Sequence, residues 1–241
     1  MPPKKMIKSL PKDPAKIAKK AKLFGFLSKI LTLVGLGLIF LSIGPFIQQE
    51  ALYYLSKLKN QEFILSGGSD LPENSVSDSP FARLISTRPI ELAPVNKDFA
   101  LVIEKIGVNV PVVKDVSVTD TDAYMRALET GVAHAMISGY PSSQPGNVYI
   151  FAHASLNFWR LGKYATVFNL LRHLKEGDTI HVFYQEQDFV YKVIGVERHK
   201  GFDVYPLTRP VLEPLLTLQT CDPPGTTLNR LVVTSKLVEI R

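Results

Sequence analysis

The sequence has almost no cysteine: Cys221 is the only one among 241 residues. A single thiol excludes a disulfide within the chain, and no grouping of cysteine with histidine has the spacing of a zinc site. Neither common type of glycine-rich phosphate loop occurs. We therefore expect no metal and no cofactor, which leaves chemistry that protein side chains perform unaided.

An excess of positive charge is also lacking outside the N-terminal region. Although the net charge is +6, residues 1–29 carry nine lysines and one aspartate, whereas the rest of the chain holds 19 basic and 21 acidic side chains. A nucleic-acid-binding module needs its basic residues on the fold. This distribution argues against a nucleic acid partner and predicts a basic cytoplasmic tail over residues 1–23.

A long uncharged run follows this tail, from Ile30 to Ile47. As a helix it would measure about 27 Å, close to the hydrocarbon core of about 30 Å. We predict a transmembrane signal-anchor helix over residues 24–47, with Lys29 snorkelling to the cytoplasmic face. The preceding lysines predict a cytoplasmic N terminus and an extracytoplasmic C-terminal domain. A cleaved signal peptide is the alternative, but no small-residue cleavage site follows Ile47.

Residues 48–97 are predicted to be an extracytoplasmic stalk. Glycine, serine and proline cluster between residues 66 and 75 without a sustained apolar period, which is typical of a linker. Near the start of this segment, Tyr53 and Tyr54 are expected at the membrane interface, where aromatic side chains are common.

Residues 98–241 are predicted to form a domain of short strands separated by turn residues. The predicted strands cover residues 101–103, 108–113, 148–153, 179–184, 189–196, 216–221 and 231–233. Two short helices are expected, one capped by Thr119 or Asp120 and ending at Gly131, the other over residues 167–174. Residues 198–214 are expected to be a long loop. Many short strands with few helices predict an all-β barrel.

The strand that ends at Cys221 is the strongest candidate for chemistry. Leu216 and Leu218 alternate with polar residues, and the DPPG sequence that follows ends the strand. If this strand pairs with the one that begins near Arg230, both side chains lie at the mouth of a hairpin. A thiol near a fixed guanidinium has a reason to ionise, and the thiolate is the nucleophilic form. The alternative is a small buried hydrophobic cysteine.

Two motifs resemble those of the sortases, the membrane-anchored cysteine transpeptidases of bacterial surfaces. TLQTC at residues 217–221, followed by Arg230, resembles the T-L-x-T-C signature with its downstream arginine. GNVYIFAH at residues 146–153 resembles the run that ends in the family's histidine, although the family commonly has glycine where this chain has Ala152. The resemblance covers residues 98–241.

The resemblance implies a closed eight-stranded sortase-like β-barrel with one or two short helices, preceded by the transmembrane helix. It implies Cys221 as the nucleophile, His153 as the acid and later the base, and Arg230 as a donor to the oxyanion. It also implies Thr220 and Leu218 as substrate-binding residues. A papain-like protease is disfavoured because its histidine lies downstream of its cysteine, whereas His153 precedes Cys221. The other histidines (His134, His173, His181 and His199) are expected to be structural or solvated.

The function implied is cleavage of an LPxTG-like C-terminal sorting signal of secreted proteins and their transfer to an amine acceptor of the cell envelope. Two alternatives stay open: a sortase that polymerises pilin subunits through a lysine acceptor, and a non-catalytic membrane-anchored binding barrel. Within the stalk, residues 71–75 begin like a sorting signal, and residues 78–81 resemble the lid of pilin-assembling sortases. For both segments a polar linker is the alternative.

Overall fold

The computed structural model describes residues 14–66, 89–153, 164 and 166–241, and the chain divides into two compact units, Met1–Gly44 and Pro45–Arg241. Helix α1 comprises Pro14–Leu58. Its segment Lys22–Leu41 has a mean hydropathy of 2.1 and none of it is buried, so it is long and apolar enough to cross a membrane. The predicted apolar N-terminal helix is therefore present, and its orientation stays a prediction.

The segment expected to be a stalk contains ordered elements. Helix α1 ends only at Leu58, and strand β1, Phe63–Leu65, pairs in parallel with strand β2, Ile90–Leu92. Leu65 and Leu92 of this small sheet pack on the outside of the barrel. The segments 71–75 and 78–81 lie outside the described residues.

Eight further strands form a closed barrel, as predicted, in the order β10-β8-β7-β3-β4-β5-β6-β9. Their bounds are β3 Phe99–Ile103, β4 Val108–Val116, β5 Val132–Ala135, β6 Gly146–Phe151, β7 Thr179–Tyr184, β8 Gln187–Lys200, β9 Pro214–Asp222 and β10 Asn229–Ile240. Helix α2, Thr121–Thr130, connects the parallel strands β4 and β5, and the short helix α3, Tyr205–Thr208, lies between β8 and β9.

Local sequence explains several of these elements. The Asp120 side chain accepts hydrogen bonds from the backbone of Asp122 and Ala123, which caps α2, and the helix ends before Gly131 as predicted. The helix predicted over residues 167–174 is wrong: the segment is a series of turns with one short 3₁₀ helix, Leu171–His173. Its buried hydrophobic residues, Phe168, Leu171 and Leu174, recur every third position, which suits a 3₁₀ rather than an α-helical period.

The loop expected over residues 198–214 is shorter than predicted. Strand β8 continues to Lys200 because its last residues pair with the start of β10, and helix α3 occupies part of the remainder. A pairing between strands distant in sequence thus extends an element that its own residues do not specify.

Alternation along β9 determines which residues face the core. Leu216 and Leu218 are fully buried and align with Val148 and Ile150 of β6, so these four side chains point into the barrel. The intervening positions of β9, including Cys221, therefore lie on the outer face.

Candidate active site

Cys221 and Arg230 are direct partners in the antiparallel pairing of β9 with β10. The Arg230 Nη1 atom lies 3.5 Å from Cys221 Sγ, and it also lies 3.4 and 3.3 Å from the carbonyl oxygens of Thr227 and Asn229. These backbone acceptors hold the guanidinium at the hairpin mouth. The structure thus brings these two predicted residues together.

His153 follows β6, which pairs in parallel with β9 so that Phe151 aligns with Gln219. The ladder continues one step further, because the Ala152 amide donates to the Gln219 carbonyl at 3.1 Å. Continuing the same register brings His153 alongside Cys221. The cysteine and the arginine therefore come from the paired strands β9 and β10, and the histidine from the segment that directly follows the neighbouring strand β6.

The His153 ring lies against an aromatic wall. Tyr124 of α2 makes an edge contact with it at a centroid distance of 5.2 Å, and Tyr124 itself stacks on Phe151 at 5.3 Å. Burial lowers the pKa of His153, and its buried Nε2 atom has no hydrogen-bond partner within the part of the chain that the structure describes. Burial also raises the pKa of Tyr124 to about 12, with a smaller contribution from nearby Cys221. Once protonated, an imidazole in this position is a stronger acid than an exposed one, because burial lowers its pKa.

The Thr220 and Leu218 side chains face away from the side of β9 that holds Cys221. Leu218 is fully buried in the core, and Thr220 is 3% exposed. The Thr220 hydroxyl donates to the Ala152 carbonyl at 2.9 Å and so ties the strand of the cysteine to the strand of the histidine. In this structure both residues position the site, and neither side chain is available to contact a substrate.

The outer face of β9 continues from Cys221 with polar side chains, of which Thr217 is fully buried. The Tyr149 hydroxyl bonds to the Gln219 amide oxygen, and further along the strand Arg209 donates to Thr217 and to Thr234 of β10. Neither Arg209 nor Tyr124 stands in a sequence motif of this site. Strand alternation alone would have placed Gln219 on the same face as Cys221, but no local signal marks the other two.

The remaining histidines have structural contacts. His134 is fully buried, with Nε2 within 3.0 Å of the Gly139 carbonyl and the Ser138 hydroxyl; burial lowers its pKa, although Gly139 and Asp115 oppose that shift. The other three contact carboxylates. His173 contacts Glu50, His181 contacts Asp188, and His199 contacts both Glu197 and Asp203. Within the described part of the chain, no three His, Cys, Asp or Glu residues are grouped as a metal site would need.

This arrangement suits nucleophilic attack followed by proton donation. The thiol lies beside a guanidinium that can donate to an oxyanion, and the buried imidazole can give a proton to a leaving group.

Comparisons with known proteins agree with this geometry. The family model described as Sortase domain matches residues 101–238. Sortase C-1 from Actinomyces oris is 28% identical over 60% of this chain and 76% of that chain, with a TM-score of 0.50. Sortase C1 from Streptococcus suis (22% identity, 59% and 74% coverage) and sortase A from Corynebacterium diphtheriae (23%, 61% and 63%) share the fold, each with a TM-score of 0.50. No curated protein matches the chain.

Proposed function

Because the chain belongs to the sortase family, whose domain covers residues 101–238, we propose that it is a membrane-anchored cysteine transpeptidase. It cleaves an LPxTG-like sorting signal of secreted proteins through a thioacyl-enzyme and transfers them to an amine acceptor of the cell envelope. Cys221 is the nucleophile, His153 the proton donor and acceptor, and Arg230 the oxyanion donor.

The observation that supports this proposal best is the alignment of three residues across neighbouring strands. Cys221 and Arg230 are paired in register, and the β6–β9 ladder leads His153 to the other side of the cysteine. Cys221 and Arg230 belong to one hairpin, and His153, from much earlier in the sequence, follows the neighbouring strand on the other side of Cys221. A structural cysteine would have no need of either neighbour.

The chemistry proceeds in two stages. The Cys221 sulfur attacks the scissile carbonyl, Arg230 donates to the oxygen on which negative charge develops, and protonated His153 gives its proton to the departing amine. The acyl group is then a thioester on Cys221. His153, now neutral, takes a proton from the incoming amine as that amine attacks the thioester, and the thiolate leaves.

Trapping the thioacyl-enzyme tests the proposal directly. The full chain in detergent is incubated with a library of peptides that contain LPxTG-like signals, and the intact protein is examined by mass spectrometry. We expect an adduct with the mass of the N-terminal peptide fragment, which the Cys221→Ala variant does not form. A Cys221 that reacts with a small thiol reagent but never with a peptide would support the non-catalytic barrel instead.

A competition between acceptors then separates the two enzymatic alternatives. Once a substrate is known, a cell-wall peptide amine and a lysine side chain within a folded pilin-like domain are offered together. Envelope attachment predicts that most of the product carries the cell-wall amine. Predominant transfer to the lysine side chain would assign the pilin-polymerising role.

A further inference from the structure

Gln219 has an amide whose donor atoms are unused beside Cys221. The two residues are two positions apart on β9, so strand alternation puts both side chains on the outer face of the strand. The Tyr149 hydroxyl donates to the Gln219 Oε1 atom. The Nε2 atom, which carries the two donor hydrogens of the amide, has no partner within the described part of the chain.

The accessible surface that begins at Cys221 ends at Gln219. On the outer face of β9, Cys221 and Gln219 are half-buried, whereas Thr217, the next residue on that face, is fully buried. The neighbours of Gln219 across the sheet are also covered: Phe151 of β6 is 5% exposed and Val232 of β10 is 2% exposed. A ligand bound at Cys221 therefore meets the Gln219 amide as the next polar side chain along this strand.

Tyr149 fixes the orientation of this amide. The tyrosine is 3% exposed, and its burial raises the pKa of the hydroxyl, so the hydroxyl stays protonated and remains a donor at neutral pH. Because it donates to Oε1, it holds the amide plane with Nε2 on the opposite side of the amide carbon. A donor that is already oriented loses little freedom when it binds a partner.

We propose that Gln219 binds the main chain of the substrate, its Nε2 atom donating to a peptide carbonyl within two residues of the scissile bond, and that Tyr149 is the residue that positions it. The inference rests on the proposed function and deepens it. Two residues of β9 span about 7 Å, which is also the spacing of alternate carbonyls in an extended peptide. Every residue, proline included, has a carbonyl oxygen, so the contact is compatible with any position of an LPxTG-like signal.

Peptides in which sulfur replaces one carbonyl oxygen locate the contact, because a thioamide sulfur is a weaker hydrogen-bond acceptor than an amide oxygen. The replacement is made in turn at each carbonyl within two residues of the scissile bond, the scissile carbonyl excepted. With the full chain in detergent, we expect one position to lower kcat/KM about threefold to tenfold, the loss of one neutral hydrogen bond. The loss should appear mainly in KM, because the contact holds substrate and transition state alike.

Variants connect the sensitive carbonyl to Gln219. Gln219→Met keeps the length of the side chain without its donors, and it should lower kcat/KM for the ordinary peptide and remove the effect of sulfur at that position. Tyr149→Phe should cause a smaller loss. Added to Gln219→Met it should cause none, because Tyr149 acts through the amide. Gln187→Met, at an exposed glutamine of β8, is the matched control and should change neither value.

The reaction of Cys221 with a small thiol reagent distinguishes substrate binding from a structural role. Gln219→Met should leave that rate unchanged, and a rate that falls as far as kcat/KM would show that the substitution disturbs the thiol, which contradicts the inference. The scan on the wild-type chain needs no variant, so a misfolded protein does not prevent the test. If sulfur has no effect at any position, or the same effect in Gln219→Met, the inference is wrong while the proposed function stands. If no peptide is cleaved, the proposed function is wrong and the inference with it.

Discussion

Among the described residues, backbone carbonyls rather than a carboxylate hold Arg230, so its charge remains available to a substrate oxygen. We expect Arg230→Lys to lower peptide transfer by about 10²–10³-fold, because a single ammonium cannot reproduce the planar fork of donors. Steady-state assays with the best peptide from the trapping experiment measure the loss. Arg126→Lys is the matched control, and near-normal activity of Arg230→Lys would refute the oxyanion role.

The Tyr124 ring makes an edge contact with the His153 ring and stacks on the Phe151 ring. Tyr124→Ala should lower kcat more than tenfold, because the His153 ring loses the contact that fixes its orientation. Such an aromatic contact contributes about 0.5–1.5 kcal/mol beyond the free energy of burying its apolar area. Tyr124→Phe keeps the ring and should behave nearly as the wild type. If Tyr124→Phe is as impaired as Tyr124→Ala, the hydroxyl rather than the ring is what matters.

The lowered pKa of His153 has a consequence for stability. A histidine in the unfolded chain titrates near its ordinary value of about 6.5, whereas the folded His153 takes up its proton only at lower pH. The free energy of unfolding should therefore fall as the pH drops below about 6.5. Urea unfolding of the unit 45–241 at several pH values measures this slope. His153→Gln should make it shallower, and an unchanged slope would contradict the assignment.

Sequence alone predicted the three groups of the candidate site but not their surroundings. Cys221, His153 and Arg230 stand in motifs whose residue types and order are legible without a structure. Tyr124 comes from helix α2, and Arg209 comes from the connection between β8 and β9. No local sequence pattern indicates that either residue packs on the outer face of β9. Leu218 and Thr220 belong to the same motif as Cys221, yet strand alternation places both side chains on the opposite face of β9.

At the scale of elements, the last turns of α1 are bound to the barrel. Glu50 accepts from Arg172 at 2.5 Å and lies 3.0 Å from His173, whose ring stacks on Tyr53 at 4.2 Å. Burial alone would raise the pKa of Glu50, but the hydrogen bonds from Arg172 and His173 outweigh it and the net shift is downward. Tyr53 therefore packs on protein in this structure, and its location at the membrane interface stays a prediction.

Removing the Glu50 charge should weaken this docking. We expect Glu50→Gln to reduce the free energy of unfolding of the unit 45–241 by about 1–3 kcal/mol, because Arg172 would keep its charge and lose its partner. Urea titration followed by circular dichroism gives the value. Glu129→Gln, an exposed change on α2, should alter it by less than about 0.5 kcal/mol. Equal effects of the two variants would show that the ion pair does not stabilise the docked helix.

The elements that depend on neighbouring residues were predictable, and those that depend on distant partners were not. The hairpin at Gly107 and helix α2 follow from turn and capping residues within their own segments. The docked end of α1 was interpreted as a stalk because its partners, such as Arg172, lie more than a hundred residues away in sequence. Composition describes a segment by itself and contains no information on such a partner.

At the scale of the whole molecule, the single cysteine makes the topology testable. Lysines that precede the apolar segment predict a cytoplasmic N terminus and an external barrel. In intact cells, a membrane-impermeant maleimide should label Cys221, which is partly exposed. A Lys8→Cys/Cys221→Ala variant should be labelled only after lysis. Labelling of Lys8→Cys in intact cells, with Cys221 protected, would reverse the proposed orientation.

The parallel pairing of β6 with β9 also determines at which stage of folding the proposed activity can begin. Cys221 and Arg230 meet through a local hairpin, but the bond between Thr220 and Ala152 joins residues 68 apart. Such non-local pairing forms late in folding, because closing a long loop costs entropy before any contact compensates for it. We therefore expect a nascent or translocating chain, in which these strands are not yet paired, to be inactive. The first thioester formed by a refolding chain would mark the moment of barrel closure.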